Sequence, residues 1–219
     1  MEEIIQDIKI IRKESIKKLF SRYCLDESHA NQVKKLSLKL FDITNGVIHD
    51  FPRSKRSLLK AAALLHDIGR SVSSEKHNIH SYDLILKNKP EGFDSNEIKI
   101  LANITRYHRG KMPKITHENF ARLKNKKEQN LVEKLGGILK LADGLDGLHK
   151  NLVMSLDCEY DDSSRILTIN LYTSCDKIEV LHSGLPILLG KKNLFERAFN
   201  VQVVFKINVD TTSTSTEII

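Results

Sequence analysis

SKRSLLKAAALLHDIGR, residues 54–70, sets Leu59, Ala62 and His66 along one helical face at i, i+3 and i+7. The run Ala61 to Ala63 lets neighbouring helices come close around the last turn, Asp67 follows His66 directly, and Gly69 is placed to end the helix. An imidazole and a carboxylate side by side at the end of a buried helix cost several kcal/mol unless they are paired or bound to metal. His66 with Asp67 is therefore the most informative dipeptide of the chain.

Three other segments carry the same signature. In ESHANQVKKLSLKLF, residues 27–41, Ser28 is in position to cap a helix whose apolar stripe is His29, Val33, Leu36 and Leu40. In DSNEIKILANITRYHRG, residues 94–110, the stripe is Ile98, Leu101, Thr105 and His108. In LVEKLGGILKLADGLDGL, residues 131–148, it is Leu135, Leu139, Asp143 and Asp146, and Gly136 and Gly137 give up about 1 kcal/mol each of helix propensity for close packing. A fifth segment, HNIHSYDLI, residues 77–85, offers His80 ahead of an apolar run. His77 is open between the mouth of a site and a solvated loop. His49, His117, His149 and His182 fall on no inward stripe and read as surface residues.

Four helices thus each bring a ligand-type residue inward near a helix end: His29, the His66–Asp67 pair, His108 and Asp143. Imidazole plus carboxylate on facing helices suits divalent transition metals, whereas all-oxygen sets suit magnesium or calcium. Asp146 reads either as a partner that fixes a histidine tautomer or, the preferred reading, as a helix-end residue.

The remainder of the 219 residues frames this set. Residues 1–150 read as helical throughout. Beyond Asn151 the alternation of Leu167, Ile169 and Leu171 in RILTINLYT, after the turn DDSS at 161–164, opens a small strand-rich unit. It continues with a short helix, GKKNLFERAFN, and a last strand, VQVVFKINV, so the expected fold is mainly α with a small α+β unit over 151–210. The tail over 211–219 is too polar to be tied down and is expected to be disordered. With 35 Lys plus Arg against 28 Asp plus Glu the net charge of +7 attracts anions, but the excess is spread out and gives a nucleic-acid partner only weak support, so none is expected. ARLKNKKEQN, residues 121–130, reads as a solvated face. Three scattered cysteines, Cys24, Cys158 and Cys175, fit reduced thiols, and no apolar run approaches the length of a membrane span or a signal peptide. A soluble cytoplasmic protein with no membrane partner is expected.

On His29, His66, Asp67 and Asp143 the chain resembles the HD-domain superfamily of metal-dependent phosphohydrolases, whose pattern is H, then HD, then a distant D. More narrowly, LDESHANQVKKLSLKLFD, LLKAAALLHDIGR, HNIHSYDLI, ITRYHRGKMP and LKLADGLDGLHK resemble the helical C-terminal HD domain of the exopolyphosphatase and guanosine-pentaphosphate phosphatase family. The resemblance runs from about Ser15 to Lys150, and the strand-rich remainder is similar to that family's last small domain. It implies an HD-type helical bundle in which His29, His66, Asp67 and Asp143 form a primary metal site. It further implies that His80 and His108 complete a second site bridged by Asp67, so that one or two divalent ions (Mn, Fe, Ni, Co, Zn or Mg) are held.

The expected activity is metal-assisted hydrolysis of a phosphoester or phosphoanhydride of a nucleotide or polyphosphate-like substrate. Asp67 and His66 stand at the reacting centre, and Arg70, Arg109, Lys111 and Arg106 hold phosphate oxygens. In full-length members of the resembling family polyphosphate hydrolysis belongs to N-terminal actin-like domains, which these residues do not form. The alternative is a noncatalytic module that binds polyphosphate or a guanosine alarmone and partners a separate actin-like phosphatase. A homodimer is a candidate assembly.

Overall fold

The computed structural model describes residues 2–209, with side chains described from residue 5; the tail over 211–219 lies outside the described residues. The helices are α1 (Glu2–Tyr23), α2 (Glu27–Thr44), α3 (Arg53–Leu65), α4 (His77–Asn88), α5 (Ser95–Arg106), the single turn α6 (Glu118–Ala121), α7 (Lys126–Leu145), α8 (Ile178–Lys191) and α9 (Asn193–Phe199). The strands are β1 (Ser155–Asp161), β2 (Ile166–Thr173) and β3 (Gln202–Val209). The architecture is mainly α with a small α+β segment at its C-terminal end, as expected.

Local chemistry explains the boundaries. The α2 cap is Asp26, whose carboxylate accepts from the His29 N–H at 3.0 Å; Ser28, expected in that role, instead accepts from the Asn151 side-chain amide. Asp94 and Glu97 close a reciprocal capping box on α5, and Asn125 caps α7. Helix α3 stops at Leu65, earlier than Gly69 suggested, and His66 and Asp67 lead into a 3-10 turn over Ile68–Ser71. Gly69 has another function: a Cβ there would lie 2.1 Å from the His77 carbonyl oxygen and 2.4 Å from the Ser81 nitrogen, so only glycine lets this turn rest on α4.

The stripes read from the sequence face inward: Val33, Leu36, Leu40, Leu59, Ala62, Leu101, Leu135 and Leu139 are all buried. Burying each leucine contributes roughly 1.5–3 kcal/mol. The core is continuous into the C-terminal segment, where Leu167, Ile169 and Leu171 of β2 and Phe195 of α9 join the same cluster. β1 and β2 form an antiparallel hairpin whose turn is held by Asp161 accepting from Ser163 and Ser164, and β3 returns parallel to β2 with Ile169 opposite Phe205. The crossover between β2 and β3 holds α9, as expected, and also α8, whose Pro186 and flanking Gly184 and Gly190 hide its helical character in the sequence. Gly137 lets α9 approach α7, a Cβ there falling 3.0 Å from the Phe195 Cα.

His49, expected on the surface, is buried beside Phe41, Phe51 and Phe199. It is satisfied: its Nδ1 accepts from the Phe51 N–H at 3.3 Å, its Nε2 meets Thr44 Oγ1 at 3.1 Å, and that hydroxyl donates to the Leu40 carbonyl. Its sequence context, two residues before Phe51 in a loop, carries no helical period to reveal this. No helix among the described residues is long and apolar enough to cross a membrane.

Two outcomes follow from this packing. Gly137→Ala presses on backbone and is expected to lower the unfolding free energy by about 1–3 kcal/mol, whereas Gly190→Ala, with nothing within 4 Å, should raise it by about 0.5–1 kcal/mol; urea titration checks both. Burial, aided by Lys134, pushes the His49 pKa down from 6.5 to about 4. A depressed folded pKa means that stability is complete above pH 6.5 and is lost as pH falls towards 4. The stability advantage of the wild type over His49→Gln should therefore shrink across that window.

Candidate metal and phosphate site

His66 and His108 both stand at helix C-termini, where the last carbonyls lack intrahelical donors. Each uses its Nδ1–H to satisfy one of them three residues back: His66 donates to the Ala63 carbonyl at 2.8 Å and His108 to the Thr105 carbonyl at 2.6 Å. His77, the first residue of α4, donates in the same way to the Ser74 carbonyl at 3.0 Å. His29 donates its Nδ1–H to Asp146 Oδ2 at 2.8 Å. A carbonyl or carboxylate only accepts, so all four rings carry the Nδ1 proton and turn Nε2 inward.

The four Nε2 atoms converge. Those of His29 and His66 lie 3.3 Å apart, and those of His77 and His108 lie 3.2 Å apart. Asp143 Oδ1 is 3.3 Å from His29 Nε2 and 4.0 Å from His66 Nε2. Asp67 Oδ1 is 3.0 Å from His77, 3.4 Å from His108 and 3.6 Å from His66. Two triads of buried donors result, His29–His66–Asp143 and His66–Asp67–His108, with His66 common to both.

This donor set fits divalent metal. A neutral imidazole with Nδ1 protonated has a bare lone pair at Nε2, and such lone pairs facing one another and a carboxylate oxygen are relieved by a cation among them: a metal ion or, in metal-free protein, the second proton that His29 takes up. The carbonyls and Asp146 on the far ring nitrogens are the outer partners that fix the tautomer of metal-binding histidines. Burial opposes charge on His29, yet the carboxylates of Asp143 and Asp146 overcome it and raise its pKa to about 9, while burial lowers that of His66 to about 4. Burial also opposes ionisation of Asp67 and Asp143, but the histidines around Asp67 and the Lys191 ammonium beside Asp143 hold both well below the ordinary carboxylate range.

The outer oxygens of the same carboxylates face cations: Arg70 Nε donates to Asp67 Oδ2, and Lys191 Nζ to Asp143 Oδ2. These groups, with Arg109, His149 and Ile187, line a cavity of about 240 Å³ at the mouth of the cluster. Ser81 straps the HD turn to α4, accepting from the Gly69 N–H at 2.8 Å and donating to the His66 carbonyl at 2.7 Å.

The fold brings together His29, His66, Asp67, His108 and Asp143 of the expected set, and Arg70 and Arg109 at its mouth. It does not bring His80, which is half-buried against the Gly69 turn; His77 reaches Asp67 instead. The buried positions of α4, His77, Ser81 and Ile85, follow at i, i+4 and i+8, a stripe that the apolar run after His80 disguised. Arg106 and Lys111 line a different cleft, on the outer side of α4 and α5.

Asp146 is the buried partner of His29, not a mere helix-end residue. His149, expected on the open surface, stacks on His29 with ring centroids 3.6 Å apart and pairs with Asp26 at 2.8 Å. Lys191 had no signal, because it depends on α8 folding back across the helices. Of the other histidines read as surface residues, His117 is half-buried and bonded to Tyr107, and His182 is exposed.

The helical fold gathers four histidines and three aspartates beneath a rim of cations, and its comparisons are with phosphohydrolase-related proteins. Residues 11–183 match the family described as Ppx/GppA phosphatase, domain III, and the chain belongs to that family. Among curated relatives, it is 29% identical over 104 residues to a guanosine-5'-triphosphate,3'-diphosphate pyrophosphatase of Pseudoalteromonas translucida, covering 48% of this chain and 21% of that protein. It is 32% identical over 109 residues to the protein of that name from Vibrio vulnificus, covering 50% and 22%, and 27% over 118 residues to that of Vibrio cholerae, covering 53% and 24%. The matched part of the chain thus spans less than a quarter of these relatives' length.

The raised pKa of His29 has a stability consequence in metal-free protein. Its contribution is complete below pH 6.5 and is lost as pH rises through 9. Chelator-treated protein should lose on the order of 2–3 kcal/mol of unfolding free energy across that window. Asp146→Asn should flatten the slope in denaturant titrations.

Proposed function

We propose that the chain is a metal-dependent phosphohydrolase whose reaction centre is the cluster around Asp67, acting on a phosphorylated small molecule or nucleotide in the cytoplasm. The observation that carries this reading is the convergence of four Nε2 atoms, each ring fixed through Nδ1, on the buried carboxylates of Asp67 and Asp143. His29, His66 and Asp143 would hold one divalent ion, and Asp67 would bridge to a second held with His77 and His108. Such ions supply, when bound, a water acidic enough to react at neutral pH and charge neutralisation at phosphorus.

The protein's own groups orient the substrate. Arg70 and Lys191, already directed at the outer oxygens of the two aspartates, and Arg109 at the rim supply donors for phosphate oxygens and offset charge in the transition state. Asp146 keeps His29 in the Nδ1–H tautomer so that Nε2 remains free to ligate. His66 and Asp67 sit on a turn that Gly69 and Ser81 hold rigidly against α4, which keeps the donors within the narrow tolerances that coordination requires. The names of the relatives make guanosine polyphosphates the first substrates to try.

Elemental analysis of protein purified without chelators or a metal-affinity tag should find one or two transition-metal ions per chain, lost in Asp67→Ala. Asp146→Asn should weaken metal binding by about 10–100-fold. Phosphatase or phosphodiesterase activity with added manganese, nickel or cobalt should vanish in the His66→Ala, Asp67→Ala double variant. Activity that survives at full rate would overturn the assignment, and protein that takes up no metal would favour the noncatalytic binding module.

A further inference from the structure

A cavity of about 640 Å³ lies outside the histidine–aspartate cluster, between α4, the end of α5 and α6. It shares walls with the reaction cavity. Lys76 and Asn78 of the α4 entry line the outer cleft while His77 between them points into the cluster; Arg106 and Tyr107 line it while His108 points inward. Arg109 lines both cavities. The connecting loop is held in place from below, because the buried Lys140 of α7 donates to the Gly110 carbonyl at 3.1 Å, and Gly110 adopts φ 78°.

The lining is of two chemical kinds. Lys76, Arg106, Arg109, Lys111 and Arg122 make it cationic, and Glu118 is the single acid lining it. Ile79, Tyr82 and Leu86 of α4 add an apolar and aromatic wall, with the Arg106 guanidinium 5.3 Å over the Tyr82 ring. A guanidinium held over a tyrosine presents its outer planar face and in-plane N–H donors, both of which an aromatic heterocycle can use. An inorganic phosphate chain would engage the cations and leave the apolar wall unused.

We infer that this cleft is a subsite for the nucleoside of an extended nucleotide substrate: the base against Tyr82 and the Arg106 guanidinium, the linking phosphates on Arg109 and Lys111, and the reacting phosphate at Asp67. The inference rests on the cluster being the reaction centre for its last clause only, since the cleft binds a nucleotide whether or not the cluster turns it over. It makes the protein select nucleoside polyphosphates over inorganic oligophosphates of equal charge.

Titration calorimetry with GDP and with inorganic tripolyphosphate, in chelator, tests it without metal or turnover. Wild type and the His66→Ala, Asp67→Ala double variant should both bind GDP. Tyr82→Leu, which keeps an apolar side chain, should weaken GDP binding by about tenfold and leave tripolyphosphate unchanged, whereas Arg106→Gln should weaken both. Thermal melting of each variant establishes that it is folded; if Tyr82→Leu is not, wild type carries the test by binding GDP about tenfold more tightly than pyrophosphate, which has the same two phosphates and no nucleoside. Absence of saturable GDP binding to wild type at millimolar concentration, or wild-type affinity in folded variants, overturns the subsite even where metal-dependent hydrolysis is found. Cleft-dependent GDP binding in a protein without hydrolysis upholds the subsite and removes the reading of the cluster.

Discussion

The inward aim of three of the site's four histidines depends on one hydrogen bond repeated in three places, in which a histidine donates its Nδ1–H to a backbone carbonyl three residues earlier. The bond settles two problems together. For His66 and His108 it supplies a donor to a carbonyl in the closing turn of a helix, and it leaves the opposite nitrogen bare and aimed along a direction set by the backbone. Ligand geometry is thereby fixed by secondary structure, which is stiffer than any side-chain network. His29, at the start of its helix, has no such carbonyl behind it, and the buried carboxylate of Asp146 takes the same position.

Concentrating three aspartates and four histidines in a buried volume is costly, and the fold offsets the cost from both sides. Inward, the histidines meet Oδ1 of Asp67 and Asp143; outward, Arg70 and Lys191 meet Oδ2 of the same two groups. Lys191 comes from α8, so the strand-and-helix segment after residue 150 completes the charge balance of a site whose other groups lie on the helices before it. Ile187 of the same helix closes the cavity on one side. The continuous apolar core from Leu139 to Phe195 makes this placement rigid.

Much of this was legible in the sequence because helical period reports facing. The stripes through His29, Leu59 to His66, Ile98 to His108 and Leu135 to Asp146 each name buried residues, and each ends on a polar group that the site uses. The reading failed where period stops. His77 begins a helix, so the register that separates it from His80 depends on where α4 starts, and that point is set by Lys76 in a left-handed conformation at φ 54°. His49 and His149 lie in loops, where burial follows from tertiary neighbours alone. Helix α8 was missed because Pro186 and two glycines contradict the local propensity that packing against α7 overrides. With α8 went Lys191, the cation nearest Asp143.

The two-sided arrangement of the aspartates gives the site a direction. In the proposed reading, cations among the Nε2 atoms and anions at Arg70, Arg109 and Lys191 would approach the same carboxylates from opposite faces, so neither would displace the other's ligands. Arg70 and Lys191 pair with the outer oxygens, and the Lys191 charge helps hold Asp143 ionised, as the surrounding histidines do for Asp67. A phosphohydrolase site built this way would not need to reorganise when a phosphate entered, because its charges would already point where negative charge accumulates. Arg109 lines both the cluster's cavity and the outer cleft, so an anion held in either one would meet the same guanidinium.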